Sequence, residues 1–415
     1  MRRLKVWLQL EGRDLVCGTI EGRDYEDAVF AYTPAFLERE DACPLSISLP
    51  LQKESFSAAR TRAWFSALLP DSYAAGTTAN RLRIRREDYL SMLSFLGGDA
   101  PGALKILDEE FPPAPPSMEE MAPAEVRALA GADERKLTDL MIRSGTALPG
   151  QTPQCCLYQD PAGKRWFLPC QEAAGTHLVR QSLIPYEDTA VNEALCMKTA
   201  EKLGIPVCQT ILSGDKDSLL TAVRRPDRIM NPAGGIIKRH REDLGQALGI
   251  APSGQYEKNY EGYMASMFRL LRENVQNPME DMKILWDRIV FNFLAGNMQG
   301  HIRSFGLIYA GDLRTMSLSP ATGLVSTTVY DSLPRTMPFH IDGYYNPDNI
   351  SQESFENMAS SCGLGRKMAG ARFRAMADRF EKALTESAGE LDDLGFFTAH
   401  SFCSKILQTG GCAKL

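Results

Sequence analysis

The order of apolar and polar positions sets out an α+β chain before any chemistry is considered. Leu4, Val6, Leu8 and Leu10 alternate with polar neighbours, and the alternation resumes at Val16, Gly18 and Ile20, which predicts two antiparallel strands. Residues 30–50 end in LSISLPL, and 60–76 (RTRAWFSALLPDSYAAG) predict a helix closed by a Pro-Asp-Ser turn. Residues 86–106 predict a helix, a Gly-Gly-Asp turn and a strand, completing a small α+β module over 1–108. The pattern then lapses: EEFPPAPPSMEEMAPAE is proline-rich and acidic, so 109–132 is expected to be an exposed, extended linker running into a helix.

Within 133–255, residues 154–158, 165–168 and 176–180 read as three strands. A helix follows with Glu193, Met197 and Ala200 in register, then further strands near 207–212 and 219–224. From 256 to 415 the periodicity is mostly helical, with helices expected over 260–272, 279–294, 353–361, 370–387 and 391–407. The stretch 287–334 begins within the second of these helices and ends before the third. There an apolar helix ends at Gly296, a short polar loop follows, and Phe305, Leu307 and Tyr309 alternate as a strand that leads to a turn at Pro320. No internal repeat is present.

Composition changes this picture little. With 415 residues, 44% hydrophobic and 24% charged, the chain has ordinary globular composition and is long enough for two or three domains. A net charge of −6 gives no electrostatic footprint for direct nucleic-acid binding. No apolar run reaches the ~18 residues of a membrane span, and the N-terminus alternates like a strand, so a cytoplasmic protein is expected. The ten cysteines include no C-x-x-C pair and read as reduced, buried small hydrophobes.

Several phrases, in order, resemble the HipA-like serine/threonine kinases, the toxin half of bacterial toxin–antitoxin pairs. They are LSISLPL, WFSALLPD and LGGDAPGAL in the first module, then ALPGQTPQ, THLVR, VNEALCMKTAEKLGI, RRPDR, HREDLGQALG, FNFLAGN and LSPATGLVSTTVY. The resemblance implies a two-lobed, protein-kinase-like fold, with 133–255 as the N-lobe and 256–415 as a helical C-lobe. It also shows what has changed. The family's catalytic loop resembles N-x-D-x-H-x-K-N-F, and here 297–305 reads NMQGHIRSF. Asn297, His301 and Phe305 match, Gln299 stands at the position of the base, and Ser304 at that of the metal-binding asparagine. A glutamine amide has no pKa suited to accepting the hydroxyl proton. His301 reads as a histidine that holds the loop.

The family's metal segment resembles L-x-P-x-Y-D-L-V-S, and 318–326 reads LSPATGLVS, so Gly323 replaces the aspartate and Thr322 the tyrosine. Asp331 lies eight residues later, outside that register. Arg180 occupies the nucleotide-lysine position, and Glu193 looks like the acidic partner on the following helix. In the phosphate loop Gly150 is kept, while Ala147 and Gln154 replace a serine and a lysine. Arg224 and Arg241 are arginines where the family shows other residues.

On the resemblance, Gly150, Arg180, Glu193, Arg224 and Arg241 are the nucleotide-binding candidates, and Gln299 and His301 the catalytic-loop candidates. Ser304 and Gly323 mark degenerate metal positions. ATP is the candidate cofactor and no magnesium is expected, since two ligands of an octahedral ion are lost and arginines are gained. The implied protein is a pseudokinase that binds a HipB-like helix-turn-helix antitoxin or a related active kinase. The alternatives are an active kinase or another nucleotide-dependent transferase using non-standard residues, and a vestigial toxin.

Overall fold

A computed structural model describes residues 2–110, 115–182, 186–215, 218–231 and 235–414. By its internal contacts the chain forms two compact units. The first comprises Met1–Gln181, Arg224–Pro252 and Ile308–Thr315, and the second Ser182–Val223, Ser253–Leu307 and Met316–Leu415.

The first unit opens with the expected hairpin. Strands Arg2–Leu10 and Arg13–Gly22 pair antiparallel, and Leu4, Val6, Leu8 and Leu10 are all buried. Val29–Tyr32 and Leu104–Asp108 flank the pair and complete a four-stranded sheet. The helix expected within 60–76 ends ahead of the Pro-Asp-Ser turn, as read, and a second helix follows the turn. Ala58–Phe65 is capped by Ser57, and Ser72–Leu82 begins just after Pro70, whose ring and missing N–H prevent one continuous helix.

The stretch expected to be linker also differs. Phe111 to Ala114 lie outside the described residues, but Ser117–Met121 pairs antiparallel with Trp166–Cys170 as an edge strand, and Pro123–Ala128 is a short helix. Ser117, Met118, Glu119 and Glu120 are exposed, so no buried alternation marks this strand in the sequence. The three strands expected after it form as Cys155–Gln159, Trp166–Cys170 and His177–Gln181.

Two buried polar groups tie these elements together. Asp99, in the Gly-Gly-Asp turn, receives Arg225 at 2.7 Å, Arg228 at 2.7 Å and Lys238 at 2.8 Å. Asp227 pairs with the same two arginines at 3.1 and 2.9 Å. Burial alone would raise both carboxyl pKa values, but the adjacent cations hold both well below the usual carboxylate range. The turn approaches so closely that a Cβ on Gly102, at φ +74°, would lie 2.7 Å from the Arg241 amide nitrogen. The second group is Glu242 of the HREDLGQ motif. It accepts hydrogen bonds from Ser46, the Tyr309 hydroxyl, the Ile47 amide at 3.3 Å and the Trp64 indole at 3.4 Å. LSISLPL and HREDLGQ, two phrases about 195 residues apart, are therefore held on one carboxylate.

The second unit is mainly helical: Thr189–Lys202, Tyr263–Asn274, Pro278–Ala295, Gln352–Ser361, Arg366–Asp393 and Thr398–Thr409. Trp286, Phe293, Phe355 and Phe373 pack ring to ring in its core. The last helix, expected over 391–407, is interrupted. The long helix continues to Asp393, Gly395 turns at φ +92°, and a new helix starts at Thr398. Among the described residues no helix is long and apolar enough to cross a membrane. Nine of the ten cysteines are buried and all are free thiols.

Two outcomes follow from the buried groups. Asp99→Ala leaves clustered cations uncompensated and is expected to cost about 3–5 kcal/mol in urea denaturation; a loss below about 1 kcal/mol would contradict the role given to Asp99. Burial raises the Glu242 carboxyl to about 7 from its ordinary 4.5, against the hydrogen bonds that lower it. The folded state therefore holds this proton more tightly than the unfolded chain, and its contribution to stability falls as pH rises from 4.5 to about 7 and is then constant. Glu242→Gln should remove about 3 kcal/mol of that fall, read as denaturation curves of the two proteins that diverge with pH; parallel curves would refute it.

Candidate functional site

The polar loop at 297–305 is positioned by the helix before it. Pro278 occupies the first turn of Pro278–Ala295 with Glu280 and Asp281, which favours the N-terminal end of the helix dipole, and Gly296 ends the helix in a left-handed conformation, φ +70°. A side chain at 296 is barred by contact as well, since its Cβ would lie 2.0 Å from the Thr328 hydroxyl. The Gly296 carbonyl accepts from the Thr327 and Thr328 amides at 2.9 and 3.1 Å, and the Thr327 hydroxyl accepts from the Met298 amide at 2.9 Å.

The polar side chains of Asn297, Gln299, His301 and Ser304 are engaged within the second unit. Asn297 donates from its side-chain amide to Asn292 Oδ1 at 3.0 Å and accepts from the Gln299 amide at 3.1 Å. Gln299, at the position of the base, accepts the Tyr256 hydroxyl on its side-chain oxygen. Its backbone carbonyl accepts the Ser304 hydroxyl at 3.0 Å, and that hydroxyl also lies 3.2 Å from His301 Nδ1. The His301 ring meets the Tyr256 ring edge-on at 5.2 Å. Burial, reinforced by Arg303, lowers His301 to about 3. Arg288 donates to the carbonyls of Ser304 and Ser319, both at 3.0 Å, and stacks 4.8 Å over Phe305.

The segment 318–326 is anchored on both sides. The Leu318 amide donates to Asp281 at 3.1 Å, and Ala321 forms a bridge to Val207. Fully buried Asn192 donates to the Ser326 carbonyl at 2.8 Å and accepts its amide at 3.0 Å. Gly323 sits between these anchors at φ +65°. Asp331 is exposed. Glu193, buried on Thr189–Lys202, accepts the Thr221 hydroxyl at 3.1 Å.

Gly150, Arg180, Arg224 and Arg241 belong to the first unit. Gly150, at φ +147°, gives its carbonyl to the Asp71 amide at 2.9 Å, and Gln151 does the same to the Ala74 amide at 3.0 Å. The loop is thereby docked on the start of Ser72–Leu82. Gln154, at the position of the family's lysine, is buried and donates to the Pro149 carbonyl at 2.8 Å, and Ala147 is fully buried. Arg180 lies half-buried on His177–Gln181, Arg224 is exposed, and Arg241 opens the strand Arg241–Asp243. The structure thus gathers Gln299, His301 and Ser304 into one loop. Of the residues that fix the loop and the Gly323 segment, Asn192 and Thr327 fall within VNEALCMKTAEKLGI and LSPATGLVSTTVY, whereas Tyr256 and Arg288 lie outside every such phrase and only folding brings them there.

Two family models match this chain: the HipA N-terminal domain over residues 4–107 and the HipA-like C-terminal domain over residues 146–384. The chain belongs to the HipA family. Putative kinase Y4mE of Sinorhizobium fredii is 28% identical over 401 residues, covering 95% of this chain and 94% of that protein. Putative kinase Y4dM of the same organism is 26% identical, with 85% of each covered. The serine/threonine-protein kinase toxin HipA of Shewanella oneidensis is 22% identical, covering 87% of this chain and 86% of the toxin. A solved structure of Shewanella oneidensis HipA with HipB and its operator DNA matches with a TM-score of 0.78 at 19% identity, over 99% of this chain and 97% of that one. The mixed α+β, HipA-like kinase fold expected from the motifs is borne out.

With His301 lowered to about 3, its imidazole is neutral throughout the physiological range. Its ring signals in NMR should not titrate between pH 5 and 8, and an inflection near the ordinary 6.5 would show a solvated ring instead.

Proposed function

We propose that this HipA-family protein is a pseudokinase, acting through binding as a regulatory component of a toxin–antitoxin-type system. The observation that carries the reading is the state of Gln299. The position where HipA-like kinases resemble one another in an aspartate holds an amide whose oxygen accepts the Tyr256 hydroxyl. An amide so placed neither takes a proton from a substrate hydroxyl nor offers a carboxylate to a cation. His301 does not replace it as a base, because a group lowered to about 3 has little affinity for a proton at neutral pH.

The metal positions support the same reading. Ser304 offers one hydroxyl, already committed to the Gln299 carbonyl, and Gly323 offers no side chain. A magnesium ion demands near-octahedral oxygen ligands, and these residues do not fit it. No phosphoryl-transfer step is therefore derived. ATP without metal is a binding candidate through the Gly150 loop and Arg180, and the partner proposed is a HipB-like helix-turn-helix antitoxin or an active kinase of the same family. The full-length similarity to two proteins described as putative kinases favours a second reading, an active serine/threonine kinase or a related nucleotide-dependent transferase with substitute residues.

Thermal unfolding with ATP, with and without magnesium, separates the two. The pseudokinase should show no magnesium-dependent increment, whereas a metal–nucleotide complex at 100 times its Kd would add about 2.7 kcal/mol. The triple variant Gln299→Asp, Ser304→Asn, Gly323→Asp should acquire the increment, since aspartate is among the residues that tolerate the left-handed backbone at 323. A magnesium-dependent shift in the unaltered protein, with phosphoryl transfer to a protein substrate, would establish the kinase reading.

A further inference from the structure

The acidic, proline-rich stretch after the first module takes no part in the candidate site. Residues 109–125 hold five glutamates and no lysine or arginine, yet within them lies the strand Ser117–Met121. It is the outermost strand of a six-stranded sheet and, among the described residues, pairs on one side only, with Trp166–Cys170. Ser117, Met118, Glu119 and Glu120 are all exposed. The outer side of such a strand presents backbone N–H and C=O groups to any strand that can approach it.

Prolines limit how much of this edge is usable. Pro116 and Pro123 bracket it and have no N–H to donate, so a ladder here is confined to the five-residue strand. Alternation sends its side chains to two faces. Glu119 and Met121 share a face with Leu168, on the side of the helices Pro123–Ala128 and Glu134–Ser144. There they border a cleft of about 510 Å³ whose apolar wall includes Leu129, Leu140 and Leu168. Met118 and Glu120 stand on the opposite face with Phe167.

The charge on the edge has one sign. Glu120 is exposed and makes no ion pair among the described residues. Glu119, also exposed, accepts from the Arg143 guanidinium and, at 3.3 Å, from the Cys170 thiol. Because the two glutamates are consecutive, a strand laid against them meets a carboxylate on each face. A second copy of this chain pairing here would bring glutamates against glutamates, and like charges directly opposite destabilise a ladder. Two consecutive basic residues in the same place stabilise it.

The geometry points to an interaction surface: the Ser117–Met121 edge takes up an extended basic segment of a partner protein, which extends the sheet by one strand. The segment's backbone completes the ladder, and consecutive lysines or arginines pair with Glu119 and Glu120. A neighbouring apolar side chain on the helix side enters the cleft beside Met121 and Leu129. The glutamates keep the edge from pairing with itself and select the sign of what does pair. The inference does not rest on the pseudokinase reading, since no residue of the candidate site takes part.

Amide NMR of the full chain, titrated with the peptide acetyl-Thr-Val-Lys-Lys-Val-Thr-amide, tests it against two control probes. One carries Glu-Glu in place of Lys-Lys. The other keeps Lys-Lys but is N-methylated at its four central residues, so it retains the charge and loses the N–H groups of a ladder. The Lys-Lys peptide should shift the amides of Ser117–Met121 and slow their hydrogen exchange, and both controls should bind roughly 10-fold more weakly. Glu120→Lys, at an exposed carboxylate without an ion pair, should keep the fold and reduce the preference for Lys-Lys over Glu-Glu by roughly 3-fold. Equal binding of either control, shifts that fall away from Ser117–Met121, no binding by any probe, or an unchanged preference in Glu120→Lys overturns the inference. So does concentration-dependent broadening of the same amides without peptide, which would place a second copy on the edge.

Discussion

Two carboxylates and three cations share a volume from which water is excluded, and the arrangement of the first compact unit depends on their staying together. Neither Asp99 nor Asp227 would remain ionised at its depth without Arg225, Arg228 and Lys238, and the cations would be equally costly without the carboxylates. Asp99 lies in the part of the chain that matches the HipA N-terminal domain, and the other four lie in the part that matches the HipA-like C-terminal domain. Burial of this kind adds little net stability compared with apolar packing, but it tolerates no partial assembly. Glu242 acts alongside it by fastening the Ser46 turn and Trp64 to the Tyr309 strand. Within the first compact unit, residues from both matched family domains are thereby tied together.

In the second unit the loop at 297–305 is held by a closed set of hydrogen bonds. Gly296, Asn297, Thr327 and Asn192 hold backbone groups at 2.7–3.1 Å. Gln299 and Ser304 are fitted into that frame and bonded to Tyr256 and to each other. Such a network is satisfied as it stands.

Legibility from sequence followed the physical range of each signal. The first hairpin, the three strands after 154 and the helices after 260 were readable because burial imposes a period on consecutive residues. The edge strand Ser117–Met121 was not, since its outward residues are polar and its pairing is supplied by a strand 45 residues on. The last helix was read through its break because the apolar period continues across Gly395, and only the left-handed turn there ends it. The candidate loop was visible as a continuous motif, but what secures it was not. Tyr256 reaches Gln299 across 43 positions and Arg225 reaches Asp99 across 126, and no local pattern encodes such pairings.

That separation between Asp99 and Arg225 also imposes an order in time. During synthesis the Gly-Gly-Asp turn leaves the ribosome 126 residues before its first guanidinium partner, and at ~5–20 residues per second that interval is roughly 6–25 s. Over that period the nascent first module holds a carboxylate that cannot be buried, so the turn must remain open to water while the surrounding strands pair. The module can therefore collapse early but cannot close until most of the C-terminal domain's strands exist.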